Sequence, residues 1–336
     1  MMNVAFFMGA DVFRDTYGEE CLDAVAAISR VLGPPMTTEE LSVSPPPWLG
    51  DVEVLFTGWS GPRLDHGLLK QMPKLRAVFH GAGSLRSILT EESWSRGIVF
   101  ANAAALNAIP TAEYAFGSIL LSLKRAWQQA AIVREKRTYS FVPAATPLPF
   151  PGGVGSTIGL ASLGQVGRRV AEWVSRLDVN IIAHDPYASA ETFTRLNIRS
   201  VSLQQLFEEA DIVSLHTPLL PETAGIVNAS LLARMKAGAT LINTARGGLV
   251  NEPDLIAVLG ARPDLQAILD VTDPEPPVPD SPLYDLPNVF LTPHLAGSLG
   301  PECRRMGRAM VDEFRRFVRQ EPLQHAVTRE SIDRMA

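Results

Sequence analysis

The sequence predicts an α/β protein built from two doubly wound parallel-sheet domains. Three observations carry that reading. Short apolar segments of strand character alternate with helical patterns along almost the whole chain. The 336 residues suit about two domains. A proline-rich stretch, VPAATPLPFPGG at 142–153, separates a first set of strands from a second. It reads as an extended connector, because proline breaks helices and central strands.

In the first set, NVAFFM (3–8), EVLFTG (53–58) and LRAVFHG (75–81) read as strands, with the loop marker Pro45-Pro46-Pro47 between them. A helical pattern spans Thr111 to Arg137. The second set comprises STIGLAS (156–162), NIIAHD (180–185), DIVSLHT (211–217), TLINTA (240–245), QAILDV (266–271) and NVFLTP (288–293). Helices fill the gaps, such as VGRRVAEWVSRL at 166–177, and an amphipathic helix near 301–320 repeats Met306, Met310, Phe314 and Phe317 as a core stripe.

With 46% hydrophobic and 20% charged residues, the chain can bury large cores. Its net charge of −6 and the lack of a basic tract argue against a nucleic-acid partner. The two cysteines, Cys21 and Cys303, are far apart, which argues against a disulfide framework or a thiolate metal site. The opening MMNVAFFMGADVFRD lacks the basic start of a signal peptide. No apolar run approaches the ~20 residues of a membrane span. The expectation is a soluble, cytoplasmic protein without metal, nucleic acid or membrane.

The segment IGLASLGQVGRRVAEW runs from a strand through a glycine-bearing turn into a helix. Ser162, Gly164 and Gly167 occupy the GxGxxG positions of a dinucleotide turn, so the first glycine is replaced. Gly164 would let backbone N–H groups approach a pyrophosphate, and Gly167 would let helix and strand pack closely. About 20 residues on stands Asp185, placed to grip adenosine ribose hydroxyls and to repel a 2′-phosphate. NAD is therefore expected over NADP. The plain alternative for Asp185 is a strand-end turn residue; His184 reads as a structural neighbour.

Arg246, Glu275 and His294 each follow a strand of the same predicted sheet, and ligands of such sheets sit outside the carboxyl ends of the strands. Arg246 offers a planar, permanently charged fork for a carboxylate. Gly247 and Gly248 behind it read as a way for the backbone to turn and leave room for a nicotinamide. His294 can exchange a proton near neutral pH, and Glu275 can hydrogen-bond its imidazole. Carboxylate, proton and hydride together specify interconversion of a 2-keto acid and a 2-hydroxy acid.

With these residues in place, the chain resembles the D-isomer-specific 2-hydroxyacid dehydrogenase family. The resemblance is carried by GLASLGQVGRRVAEW, by ADIVSLHTPLLPETAGIVNASLLARMKAGATLINTARGGLVNEPDLIAVL, by LDVTDPEPP and by TPHLAGS. It implies that Arg246 binds the substrate carboxylate, that Glu275 orients His294, and that His294 is the acid/base. It implies that Gln165, Val166, Asp185, Thr217, Thr244, Ala245 and Asp270 line the NAD site, with Thr111 near the nicotinamide and Asp270 accepting from its carboxamide. FHGAGSLR at 79–86 resembles the loop that holds the substrate carboxylate, a role falling to Ala82 and Gly83; Leu85-Arg86 stand where the family often has aspartate.

The family's fold implies a Rossmann NAD-binding domain at 108–297. It implies a discontinuous, flavodoxin-like substrate domain at 1–107 and 298–336, with a cleft between the two and hinges near 107–111 and 296–300. In FTGWSGPRLD, Trp59 occupies a pocket-facing or a core position. Since phosphoglycerate dehydrogenases often carry arginine in that loop, a smaller or more apolar keto acid is favoured, such as glyoxylate, hydroxypyruvate or a branched keto acid. Phosphoglycerate itself and an NAD-sensing, corepressor-like scaffold are the alternatives. Helix 111–137, with Trp127 and Ile132, points to a homodimer; internal packing is the other reading.

Overall fold

The computed structural model describes residues 1–137 and 152–332. Positions 142–151 of the proline-rich segment lie outside the described residues. The chain divides into two compact units, one formed by Met1–Ala108 together with the segment from Ser298 onward, the other by Ile109–Gly297. Among the described residues the strands are, in chain order, β1 (Asn3–Phe7), β2 (Arg30–Val31), β3 (Val54–Thr57), β4 (Ala77–His80), β5 (Val99–Asn102), β6 (Thr157–Ala161), β7 (Asn180–His184), β8 (Arg199–Ser200), β9 (Ile212–Leu215), β10 (Thr240–Asn243), β11 (Gln266–Leu269), β12 (Val289–Leu291) and β13 (Ala326–Val327).

The first unit holds a six-stranded sheet in the order β13-β5-β4-β3-β1-β2. All its pairings are parallel except that of β13 with β5. Its inner strands are buried on both faces, which is why they read as continuous apolar runs rather than alternating ones. On one face Phe6 stacks on Phe56 at 4.8 Å, and Phe314 of helix Pro301–Val318 meets Phe56 and Phe79 edge-on at 5.6 and 5.8 Å. Met306, Met310 and Phe314 are fully buried there, so the C-terminal stripe is core packing.

The second unit holds a seven-stranded, all-parallel sheet in the order β12-β11-β10-β9-β6-β7-β8. The strand order reverses between β6 and β9, the switch point at which ligands of open α/β sheets gather. The first unit has the same kind of reversal between β1 and β3.

One expected element changes. The helical pattern over 111–137 is two helices, Ala104–Leu123 and Ala126–Lys136. They are separated where Arg125 takes a left-handed φ of 49°. Its guanidinium is drawn inward: the residue is 8% exposed, and a Cβ on Gly238 would stand 2.1 Å from its Nη2. Burial lowers the Arg125 pKa, with the Asp264 charge opposing. Among the described residues no helix is long and apolar enough to cross a membrane.

Candidate active site

The strand ends β10, β11 and β12 are neighbours in the second unit's sheet, so residues far apart in sequence leave one edge side by side. Arg246 follows β10 through a turn folded by a buried amide. Asn243 Nδ2 donates to the Arg246 carbonyl at 2.9 Å, and its Oδ1 accepts from Ala245 N–H at 3.1 Å. The Arg246 guanidinium is half-buried and donates to the Ala245 carbonyl at 2.6 Å. Burial lowers its pKa, and the Glu275 charge opposes that shift. The guanidinium of Arg246 thus lies within the field of the Glu275 carboxylate.

Gly247 and Gly248 do not open room for a nicotinamide. A Cβ on Gly247 would stand 1.9 Å from the Thr272 carbonyl oxygen, and one on Gly248 would stand 3.2 Å from Asp273 Oδ2. The missing side chains admit the loop after β11, which carries Glu275.

Glu275 lies between two cis X–Pro peptides, Asp273–Pro274 and Glu275–Pro276. Its Oε1 is 2.5 Å from His294 Nδ1. A carboxylate is acceptor-only, so Nδ1 carries the proton of that bond, and Nε2 is the nitrogen left to act on a ligand. His294 has a left-handed φ of 51°. The turn that holds it wraps around Asp270, which is 1% exposed. Asp270 accepts from Thr292 Oγ1 at 2.6 Å, from Leu295 N–H at 2.9 Å and from Ala296 N–H at 2.9 Å, and its carbonyl accepts from His294 N–H at 2.9 Å.

At the switch point, Ser162 takes a φ of 80°, a conformation native to glycine, so the replaced residue makes the tight turn that its β-carbon disfavours. Helix Gln165–Val174 begins at Gly164, with no side-chain cap on its first turn. Its opening N–H groups therefore lack intrahelical acceptors. A Cβ on Gly164 would touch nothing within 4 Å, whereas one on Gly167 would stand 2.1 Å from the Ser162 carbonyl oxygen. The cradle at Gly164 is open and the packing at Gly167 is tight. Val166 turns its side chain to the core, leaving only its N–H for a ligand, while Gln165 Oε1 accepts from Arg169 at 3.2 Å.

Asp185 is fully engaged. Its Oδ2 accepts from Leu163 N–H at 2.7 Å and the Ser162 hydroxyl at 3.3 Å, and its Oδ1 accepts from the N–H groups of Tyr187 and Ala188 at 2.8 and 3.0 Å. Thr217 donates to the Ala161 carbonyl at 3.2 Å. Two buried groups along the same strand ends have no partner among the described residues: Thr244 Oγ1 and both ring nitrogens of His216. Burial pushes the His216 imidazole down to about 4. Open cradle, uncapped helix start and orphaned polar atoms fit a polar, anionic dinucleotide. Thr111 is buried on helix Ala104–Leu123 of this unit.

In the first unit, β4 ends in His80, and Gly81, Ala82, Gly83 and Ser84 follow. Tyr17 donates to the Thr57 carbonyl at 2.9 Å beneath this loop, so close that a Cβ on Gly81 would stand 2.6 Å from its oxygen. His80 is 2% exposed, with Nδ1 2.9 Å from Thr57 Oγ1. Burial pushes its imidazole down to about 4, against a hydrogen bond to the Ser84 backbone. The Gly83 carbonyl accepts from Asn102 Nδ2 at 2.8 Å and the Ala82 carbonyl from Ala103 N–H at 3.1 Å. The N–H groups of Ala82 and Gly83 donate to no acceptor among the described residues. Leu85 is core, and Arg86 Nη2 donates to the Ile332 carbonyl at 2.7 Å. Trp59 is 41% exposed and so is not a core residue.

Asn243, Thr292 and Tyr114 escaped the sequence reading. The one available signal was a polar residue closing the apolar run TLIN.

Comparison with known proteins places these strand ends in a family. Residues 117–296 match the family described as "D-isomer specific 2-hydroxyacid dehydrogenase, NAD binding domain". A glyoxylate reductase of Korarchaeum cryptofilum is 31% identical over 284 residues, covering 84% of each chain. A D-3-phosphoglycerate dehydrogenase of Archaeoglobus fulgidus is 30% identical over 274 residues, covering 82% of this chain and 51% of that one. The chain thus spans about half the length of the phosphoglycerate dehydrogenases it matches. Among solved structures, a glyoxylate reductase from Paecilomyes thermophila superposes with a TM-score of 0.78 at 21% identity, over 98% of this chain and 99% of that one. A protein from Thermus thermophilus superposes at 0.76 with 26% identity, over 97% and 100%.

Proposed function

The chain belongs to the D-isomer-specific 2-hydroxyacid dehydrogenase family, and from that premise we propose that it interconverts a small 2-keto acid and the D-2-hydroxy acid with NAD as cofactor. The observation that carries this reading is the His294–Glu275 pair at 2.5 Å, with Glu275 leaving the strand end next to that of Arg246 and His294 leaving the one beyond it. Bound nicotinamide supplies the hydride. Arg246 holds the substrate carboxylate, its fork matching two oxygens at once. In reduction, His294 Nε2–H gives its proton to the substrate's carbonyl oxygen, while Nδ1–H stays on Glu275, which keeps the ring oriented and offsets the imidazolium charge. In oxidation Nε2 takes the hydroxyl proton back.

The remaining site residues take these parts. The first-turn N–H groups at Gly164, Gln165, Val166 and Gly167, with Ser162 shaping the turn, hold the pyrophosphate. Thr217, Thr244, Ala245 and Thr111 line the cofactor, and Asp270 keeps one acceptor position of Oδ2 for the carboxamide. Asp185, whose acceptor positions are taken by its own turn, acts on the adenosine end through its charge: a 2′-phosphate beside it would meet like charge, so NAD is preferred to NADP. In the first unit, the Ala82 and Gly83 N–H groups are suited to hold a carboxylate, and the exposed Trp59 is suited to contact a substrate. A glyoxylate-sized substrate accords with the relative matched along 84% of both chains. The protein acts in the cytoplasm as a homodimer. Trp127 stacks on Phe290 at 4.2 Å, and Leu120, Leu121 and Val133 are exposed on the same two helices and offer that interface apolar surface.

The test is NADH consumption with a panel of 2-keto acids, run beside His294→Ala. One keto acid turned over by the parent, and at least about a hundredfold more slowly by the variant, is expected. Equal rates would remove His294 from the reaction. A chain that binds NADH but reduces no keto acid would remove the enzyme reading and favour the scaffold.

A further inference from the structure

The carboxylate at the root of the His294 turn is held by a hydroxyl chain that starts on a distant helix. Thr292 Oγ1 is 2.6 Å from Asp270 Oδ1 and 2.8 Å from the Tyr114 phenol oxygen. The threonine has one proton, and the carboxylate, which only accepts, takes it. The phenol must therefore donate to Thr292. The chain runs one way, from Tyr114 on helix Ala104–Leu123, through Thr292 just after β12, to Asp270 just after β11.

Asp270 also holds the turn itself, accepting from Leu295 N–H at Oδ1 and Ala296 N–H at Oδ2, while its carbonyl takes His294 N–H. The backbone of His294 is left-handed, at a φ of 51°, a state that disfavours a non-glycine residue and persists only where its surroundings impose it. Beneath it lies a buried carboxylate that the Thr292 hydroxyl contacts directly and the Tyr114 hydroxyl reaches through Thr292. Desolvation raises the Tyr114 pKa, with Thr292 opposing and Asp270 adding, so the phenol keeps the proton it donates.

We propose that Tyr114 and Thr292 are positioning residues for proton transfer: their hydroxyl relay clamps Asp270, and Asp270 aims His294. The inference deepens the reading above and rests on His294 being the acid/base. It assigns Asp270 a duty to the protein's own turn in addition to any duty to the cofactor.

The test uses the full chain with Thr292→Val, Thr292→Ser, Tyr114→Phe and the Tyr114→Phe/Thr292→Val double variant. The readouts are kcat and KM for the best keto acid, NADH affinity by fluorescence, and amide exchange of the peptide spanning 292–297. Thr292→Val is expected to lower kcat about tenfold to a hundredfold, the scale of a displaced catalytic group, with NADH affinity nearly unchanged and faster exchange at 295 and 296. Thr292→Ser, which keeps the hydroxyl, should recover most of the rate. The double variant should be no slower than Thr292→Val, because Tyr114 acts only through Thr292.

A Thr292→Val protein as fast as Thr292→Ser would overturn the relay. So would a loss that falls on NADH affinity instead of kcat, or multiplicative losses in the double variant. Tyr114→Phe keeps the ring outline, and its kcat and exchange decide the matter if Thr292→Val does not fold. Full turnover in His294→Ala overturns the acid/base reading and this inference together; an inactive His294→Ala beside ordinary exchange and rate in Thr292→Val overturns the relay alone.

Discussion

The two sheets end in opposite kinds of loop. The second unit sends ionisable side chains beyond its strand ends: Arg246 half-buried, His294 and Glu275 each with more than two fifths of the side chain exposed. The first unit sends none from β4. Its loop Gly81–Ser84 offers backbone N–H groups on a base of neutral, fully buried groups, Tyr17 and His80. Groups that change charge during a reaction need solvent or a counter-ion near them, and the Glu275 carboxylate supplies one. Groups that only bind need to be stationary, and fixed amide dipoles over a desolvated, neutral foundation meet that need without a titrating partner.

Substitutions can break this contrast at its strongest point first. Arg246→Ala removes the permanent cation beside the His294–Glu275 pair and is expected to lower kcat/KM by about 2–5 kcal/mol, the scale of losing one partner of a buried charge pair. Steady-state kinetics with the best keto acid measure it, and a near-normal kcat/KM would remove Arg246 from carboxylate binding.

Next in size is acid sensitivity, where each unit carries a neutral histidine. The folded pKa values of His80 and His216, about 4, lie below the ordinary histidine value of 6.5. The unfolded chain therefore binds the extra protons, so stability is full above about pH 6.5 and falls as the pH drops toward 4. From about pH 6.5 to about pH 5 each histidine should cost its unit about 2 kcal/mol. Chemical denaturation at several pH values, with His80→Gln and His216→Gln, tests this. Each substitution should flatten the acid slope of its own unit, and an unchanged slope in both would show that neither histidine is neutral for the reason given.

The smallest effect is at the dinucleotide turn. Ser162→Gly relieves a β-carbon at a φ of 80° but deletes the hydroxyl bond to Asp185. The net gain in stability should be about 0.5–1 kcal/mol, read as a rise in Tm. A fall in Tm would mean that the serine's bond to Asp185 outweighs the backbone strain.

The same contrast explains what could be read from the sequence alone. In the second unit each chemistry-bearing residue lies within a few positions of an apolar strand, so Arg246, Glu275 and His294 are visible together once the strands are drawn. What supports them is not visible. Gly247 looks like space for a ligand until the Thr272 carbonyl, from a loop some 25 positions on, is found against it. Tyr114 and Thr292 meet across 178 positions, and no local pattern announces such a contact. In the first unit the amide loop was recognisable only by resemblance, because Tyr17 and His80 reach it through carbonyl and hydroxyl groups of β3. The two-residue strands β2, β8 and β13 are too short for any periodicity to mark them. The break at Arg125 depends on a guanidinium seated against Gly238, more than a hundred positions away.

The first unit's core also sets an order of events during synthesis. Helix Pro301–Val318 closes the aromatic face of Phe6, Phe56 and Phe79 with Met306, Met310 and Phe314, and β13 completes the sheet beside β5. Between the two parts of this unit the ribosome must translate Ile109–Gly297, which at ~5–20 residues per second takes roughly 10–40 seconds. The unit that begins first is therefore finished last, and for that interval its phenylalanine face is uncovered.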